Sequence, residues 1–146
     1  MNNLYEEMNL FLADQIVLGM KIHNIHWFLK GEGFFPIHEQ MDTYYEEAEE
    51  RIDEVAERLL TIGAKPVGNL ETVLKMTSIK ELDQAWKTAK EGFEHLIVDF
   101  EHMNRSALRL VELAEAANDP GTADYFTAVS QDLGKNLWMF NAYIRD

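Results

Sequence analysis

Apolar residues recur at steps of three and four along most of this chain. From residue 4 to residue 29 they fall at Leu4, Met8, Phe11, Leu18, Ile22, Ile25 and Leu29, with Gln15 the polar interruption. That stripe predicts one helix of about 26 residues. Gly31 and Gly33 follow, and glycine accepts the left-handed backbone that ends a helix. Pro36 suits the first turn of a second helix, where its missing N–H costs nothing. The second stripe runs through Ile37, Met41, Tyr45, Ala48, Ile52, Val55, Leu59 and Ile62, and stops at Gly63 with Pro66 beyond.

Residues 63–80 form the one long connection, in which Asn69 is placed to cap a short helical turn reaching Leu74. Ser78 and Glu81 have the spacing of a capping box for a third long helix. Its stripe is Leu82, Trp86, Ala89, Phe93, Leu96, Phe100, Met103, Ala107, Leu110, Ala114 and Ala117. Asp119 and Pro120 restart the chain as N-cap and first-turn proline, and a fourth helix follows on Phe126, Val129, Leu133, Leu137, Phe140 and Ile144. No strand candidate, internal repeat or low-complexity segment is apparent.

Four long amphipathic helices predict an all-α four-helix bundle, with residues 1–146 as a single domain. Short turns after the first and third helices make antiparallel neighbours. The link between the second and third, extended, spans about 59 Å, more than the roughly 40 Å length of the helices. It is therefore long enough to cross the bundle and set the third helix parallel to the second, a ferritin-like arrangement.

Composition narrows the chemistry. The chain has no cysteine, which removes disulfides, thiolate metal sites and cysteine nucleophiles. It carries 26 acidic and 13 basic residues, a formal charge of −13. Such a surface repels phosphate backbones and suits a cationic partner, although it also serves solubility alone. No apolar run approaches the ~18 residues that span a bilayer, and the N-terminus lacks a signal pattern, so a soluble cytoplasmic protein is expected.

The residues that carry chemistry lie between His26 and Arg58. Carboxylates with neutral imidazole are ligands for Fe, Mn and Zn. On the second helix His38, Asp42, Asp53 and Glu57 share an arc of roughly 100°. They cannot share one metal within a subunit, because Asp42 and Asp53 are separated by a rise of about 16 Å. A second copy of the helix, antiparallel across a two-fold axis near residues 47 and 48, resolves this. His38 then faces the partner's Glu57, and Asp42 faces the partner's Asp53. Two equivalent sites result, about 22 Å apart, and His26 is free to add a ligand to each. Simpler readings exist. His23 and His26 could be a local polar pair, and the run Glu46, Glu47, Glu49, Glu50 and Glu54 a solvated face. Asp99 and His102 form a D-x-x-H pair on the third helix. The two Glu-x-x-His motifs of an intrasubunit di-iron bundle are not met, and that pair reads as structural.

These residues resemble the Dps family of bacterial mini-ferritins. The pattern H-W-x-x-K-G-x-x-F-x-x-x-H-x-x-x-D runs from His26-Trp27 through Lys30-Gly31, Phe34 and His38 to Asp42. It continues as D-x-x-A-E-R from Asp53 to Arg58, and Leu137-Trp138-Met139 resembles the family's last helix. The resemblance implies a hollow homo-dodecamer that oxidises Fe2+, preferably with hydrogen peroxide, and stores ferric mineral, so limiting oxidative damage. It implies a ferroxidase centre at two-fold interfaces, with His26, His38 and Asp42 from one chain and Asp53 and Glu57 from the other. Trp27 would sit beside that centre as an electron donor or radical quencher, unless it is plain core. Glu46, Glu49 and Glu50 are candidates for ferric nucleation, and Asp119 and Asp124 for acidic three-fold pores. DNA-condensing members commonly carry a lysine-rich N-terminal extension. Here the first helix begins almost at Met1, so direct DNA binding is not expected. The alternatives are a DNA-protecting dodecamer with little iron chemistry and a helical binding module without iron.

Overall fold

The computed structural model describes residues 2–145. The elements in chain order are α1 (Asn2–Phe28), β1 (Leu29–Lys30), α2 (Phe34–Thr61), α3 (Leu70–Met76), β2 (Lys87–Thr88), α4 (Ala89–Ala116) and α5 (Pro120–Ile144). The four long helices are the four expected from the stripes, and α3 is the short helix carried by the crossover. Asn69 caps α3 by accepting from the Thr72 N–H at 2.9 Å. Gly31, Gly33 and Gly63 all have positive φ, as their positions after helices require.

Residues from all four stripes meet in one core. Met8, Leu18 and Ile22 of α1, Met41 and Leu59 of α2, Leu96 and Met103 of α4, and Phe126 and Leu133 of α5 are each at most 1% exposed. Burying each such side chain contributes about 1.5–3 kcal/mol. α1 packs on α2, α4 on α5, and α1 also on α4. Asp14 meets His102, and Glu7 meets Arg109, while at the other end Lys30 pairs with Thr88. α1 and α4 are therefore antiparallel. Since α2 turns back on α1, α2 and α4 run parallel, as the long crossover predicted.

Two sequence expectations are corrected. The third long helix starts at Ala89, so Leu82 and Trp86 precede it. Its capping box is Thr88 with Glu91: the Thr88 hydroxyl accepts from the Glu91 N–H at 3.2 Å, and Glu91 accepts from the Thr88 N–H at 3.0 Å. Ser78 has the same S/T-x-x-E spacing, but its N–H donates to buried Asp14 at 2.8 Å. Asp14 also accepts the Thr77 hydroxyl at 2.7 Å, so this stretch of the crossover is bonded to α1 and α4. The second correction is a two-residue parallel strand pair, with Leu29 opposite Lys87 and Lys30 opposite Thr88. Two residues are too few to leave a period in the sequence.

Polar side chains of α1 set the course of the crossover. Tyr5 donates to the Ile62 carbonyl at 3.0 Å, Asn9 donates to the Lys65 carbonyl at 3.0 Å and accepts from the Val67 N–H at 2.8 Å. Further along, Asn24 donates to the Asp83 carbonyl at 2.9 Å and accepts from buried Lys87 at 2.8 Å. Each bond satisfies a backbone or side-chain group that the loop would otherwise leave unpaired.

The start of α5 is fixed by Asp119. It accepts from the Thr122 N–H at 3.1 Å, the Thr122 hydroxyl at 2.5 Å and the Arg58 guanidinium at 3.0 Å. A Cβ on Gly121 would come within 2.6 Å of Arg58, so that residue must stay small for the arginine to lie there. Partial burial opposes ionisation of Asp119, but the Thr122 bonds and Arg58 outweigh it and hold the carboxyl below its ordinary value of 3.8. Replacing Asp119 by Ala should lower stability by about 1–2 kcal/mol at neutral pH, seen as a lower melting temperature. Because the folded-state value is depressed, this contribution is complete well above pH 3.8 and fades as pH falls through the lowered value. The gap between wild type and D119A should therefore close in acid.

Candidate metal centre

His26 lies in the last turn of α1 and His38 in the second turn of α2, on either side of the Gly31–Gly33 turn. The reversal brings their rings into a stack, with centroids 3.7 Å apart and planes 10° from parallel. Phe34 extends the stack on the His38 side at 4.9 Å. Each imidazole bonds the other's backbone: His26 Nδ1 lies 2.6 Å from the His38 carbonyl, and His38 Nδ1 lies 2.8 Å from the His26 carbonyl. A carbonyl only accepts, so both Nδ1 atoms must carry the proton. In the neutral rings both Nε2 atoms therefore keep a lone pair, the tautomer a metal ligand needs.

Asp42, one turn beyond His38, places a carboxylate oxygen 3.5 Å from His26 Nε2. Its side chain is 62% exposed, so the carboxylate opens outward and is not closed off by the subunit. Asp53 and Glu57 lie on the same helix, exposed, three and four turns further along. Among the described residues, no three His, Asp or Glu side chains converge so that one chain could hold a metal ion. Thus the structure sets His26 against His38 and within 3.5 Å of Asp42, without the three converging on one point, and leaves Asp53 and Glu57 apart from them.

The neighbouring aromatic residues are ordered around His23. Its ring stacks on Tyr45 at 3.5 Å and meets Trp27 at 4.8 Å. Burial, and then the His26 charge, lower the His23 pKa, while burial and Glu49 raise that of Tyr45. Trp27 itself is 55% exposed, which separates it from the core.

The other candidates scatter. Glu49 borders a hollow with His23 and Tyr45 on the α1 side of α2, whereas Glu50 borders a cleft on the α5 side. Glu46 is exposed and lines neither. Glu47, Glu54 and Asp132 join Glu50 instead. The helical arc missed this grouping because α5 supplies one wall. Asp119 is engaged in its cap, and Asp124 is exposed on the first turns of α5. Asp99 forms a buried ion pair with Lys21, and His102 bonds Asp14 at 2.8 Å, so both members of the D-x-x-H pair have structural partners inside the bundle.

Comparison with known proteins agrees with this architecture. The family model described as a ferritin-like domain matches residues 5–146. DNA protection during starvation protein 2 of Bacillus anthracis is 37% identical over 95% of this chain and 94% of its own. The chain belongs to the Dps family of ferritin-like proteins. Among solved structures, Dps from Staphylococcus aureus superposes with a TM-score of 0.95 at 32% identity, covering 100% of this chain and 97% of that one. A zinc-soaked Dps from Listeria innocua gives 0.93 at 36% identity, covering 97% and 95%. Family membership thus confirms the fold and the resemblance read from the residues. No helix of this Dps chain among the described residues is long and apolar enough to cross a membrane.

The histidine clasp makes a direct prediction for this Dps chain. Nitrogen NMR of labelled histidine above pH 8 should show His26 and His38 both as the Nδ1–H tautomer. A free histidine side chain favours the opposite one, so an Nε2–H signal from either residue would contradict the reciprocal bonds.

Proposed function

We propose that this Dps chain is a ferroxidase and iron store, in which two chains share each metal centre across a two-fold axis. The observation that carries it is the clasp: two histidines with their Nε2 lone pairs free, beside an outward-facing Asp42. His26, His38 and Asp42 are half a ligand set, and Asp53 and Glu57 on the same helix are the complementary half for a partner. An antiparallel copy of α2, crossing near the middle of the helix, presents that second half to the first. Iron enters as substrate. Three carboxylates per centre bind Fe2+ and stabilise Fe3+ more strongly, because the attraction grows with charge. Two Fe2+ each give one electron to hydrogen peroxide, which takes up two protons and leaves as two waters. Delivering both electrons at one centre avoids release of hydroxyl radical.

Trp27, exposed next to His26, is placed to give up an electron when only one iron is bound. A homo-dodecameric cytoplasmic shell would keep the ferric product inside, with Fe2+ entering by pores near Asp119 and Asp124 and the mineral seeded at glutamates of α2. The relatives' names speak of DNA protection. At −13 per chain, protection here would come from removing iron and peroxide, not from contact with the phosphate backbone.

Complementation tests the shared centre. His38→Ala and Asp53→Ala assemblies should each lose peroxide-dependent Fe2+ oxidation. Refolded together at equal amounts, they should recover about a quarter of it, since half the interfaces are mixed and each mixed interface holds one intact site. No recovery, with both variants assembled, would place the centre within one chain. A wild-type rate equal to that of protein-free buffer would remove the ferroxidase reading altogether.

A further inference from the structure

Three aromatic rings form a row that crosses from α1 to α2. Trp27 and His23, one turn apart on α1, have centroids 4.8 Å apart, and His23 lies on Tyr45 of α2 at 3.5 Å. Neighbouring rings in the row are therefore in contact. Among the described residues Trp27 is the one tryptophan that reaches a tyrosine through such contacts, because Trp86 meets Phe28 instead. The outer end of the row is the exposed Trp27, beside His26. The inner end is the half-buried Tyr45, one turn beyond Asp42.

The surroundings of the Tyr45 hydroxyl suit it to one-electron chemistry. Burial, and then Glu49, raise its pKa from the ordinary 10.0, so the phenol keeps its proton at neutral pH. Glu49 lies one turn along α2, borders the same hollow as His23 and Tyr45, and is the side-chain partner of that hydroxyl. Tyrosine gives up an electron more readily than tryptophan at neutral pH, provided the phenolic proton leaves as well. A carboxylate beside the hydroxyl meets that condition, so an electron passes downhill from Tyr45 to an oxidised Trp27.

Resting on the iron-store reading above, we propose that Tyr45 is a one-electron reservoir for the metal centre, connected through His23 and Trp27, with Glu49 as its proton acceptor. When a single Fe2+ meets hydrogen peroxide, the iron gives one electron and Trp27 the other. The peroxide takes up two protons and leaves as two waters. Oxidised Trp27 regains an electron from Tyr45, whose phenolic proton passes to the Glu49 carboxylate and leaves a neutral tyrosyl radical. The next Fe2+ to arrive returns an electron along the row, Glu49 returns the proton, and Tyr45 is restored. Two Fe2+ are then consumed per peroxide even when they bind one at a time. His23 is a positioning residue that fills the space between indole and phenol. The sequence set Tyr45 only in a hydrophobic stripe, because the packing of α2 on α1 is what brings it onto His23.

Freeze-quench electron paramagnetic resonance reads the radical in the assembled protein, freed of metal and given one Fe2+ per centre with hydrogen peroxide. Wild type should give a tyrosyl signal that narrows when the protein carries ring-deuterated tyrosine. A second Fe2+ per centre, without more peroxide, should remove it. Tyr45→Phe should lose the tyrosyl signal and show a tryptophan radical in its place. A second arm needs no iron: azide radicals made by pulse radiolysis oxidise tryptophan in preference to tyrosine. In wild type the tryptophan radical absorbance should decay as tyrosyl absorbance grows, at a rate independent of protein concentration. Tyr45→Phe should lose that growth, and Glu49→Gln should slow it by about tenfold or more. Both variants keep the shape of the side chain they replace, and a packing role alone would move neither signal. A tyrosyl signal that survives in Tyr45→Phe overturns the proposal, as does a wild type that oxidises iron without forming a radical. So does decay of the tryptophan radical with no tyrosyl growth. Should wild type oxidise no iron at all, the iron-store reading falls, and the azide arm still decides whether Tyr45 is joined to Trp27.

Discussion

Asp14 is a carboxylate 3% exposed in the middle of α1, and a buried charge of that kind is tolerated only when its oxygens are fully bonded. It accepts the Thr77 hydroxyl, the Ser78 N–H and hydroxyl, and His102. Those donors come from the crossover and from α4, so one side chain ties α1 to the segment that crosses the bundle and to the helix that follows it. Two turns along, Lys21 and Asp99 pair between the same two helices. Removing either partner of such a pair would leave an uncompensated charge in the core, which costs about 3–5 kcal/mol. These contacts fix the register of α1 against α4, and with it the position of the α1 C-terminus, where His26 sits.

Placing those ion pairs inside the bundle has a consequence for chemistry. In other ferritin-like bundles, inward carboxylates and histidines of facing helices can hold two metals within one chain. Here the inward acid and histidine on α4 are occupied by Lys21 and Asp14, and an ammonium stands beside a carboxylate that could otherwise meet a cation. The free imidazole lone pairs and exposed carboxylates lie instead at the subunit surface, on the α1–α2 turn and along α2. The paired charges of the interior and the unpaired ones at the surface are two sides of the same distribution of charge.

The α2 helix serves two surfaces that its sequence does not distinguish. His38, Asp42, Asp53 and Glu57 lie along one face of α2. Glu47, Glu50 and Glu54 belong to a cleft whose other wall is α5. On the opposite side of the helix runs the buried line of Met41, Ala48, Val55 and Leu59. A run of seven carboxylates over twelve residues would be expected to repel itself, and Arg51, buried among them, offsets part of that repulsion.

The sequence by itself determined the four helices, the turns at Gly31, Gly33 and Gly63, the caps at Asn69 and Asp119, and the parallel return through a long crossover. Those features rest on local periodicity and on backbone conformations that particular residues permit or forbid. The motif from His26 to Arg58 also made the family legible, since its residue types and gaps survive in the one-dimensional order. Tertiary structure decided where α4 begins, because Thr88 and Ser78 offer the same local cap and only the pull of Asp14 on Ser78 separates them. It decided that both imidazoles carry the proton on Nδ1 and leave the Nε2 lone pair free in the neutral ring, which follows from two carbonyls across a turn. It also set Tyr45 of α2 on His23 of α1. Each of these depends on groups far apart in the chain meeting in space, and no spacing along one helix encodes that.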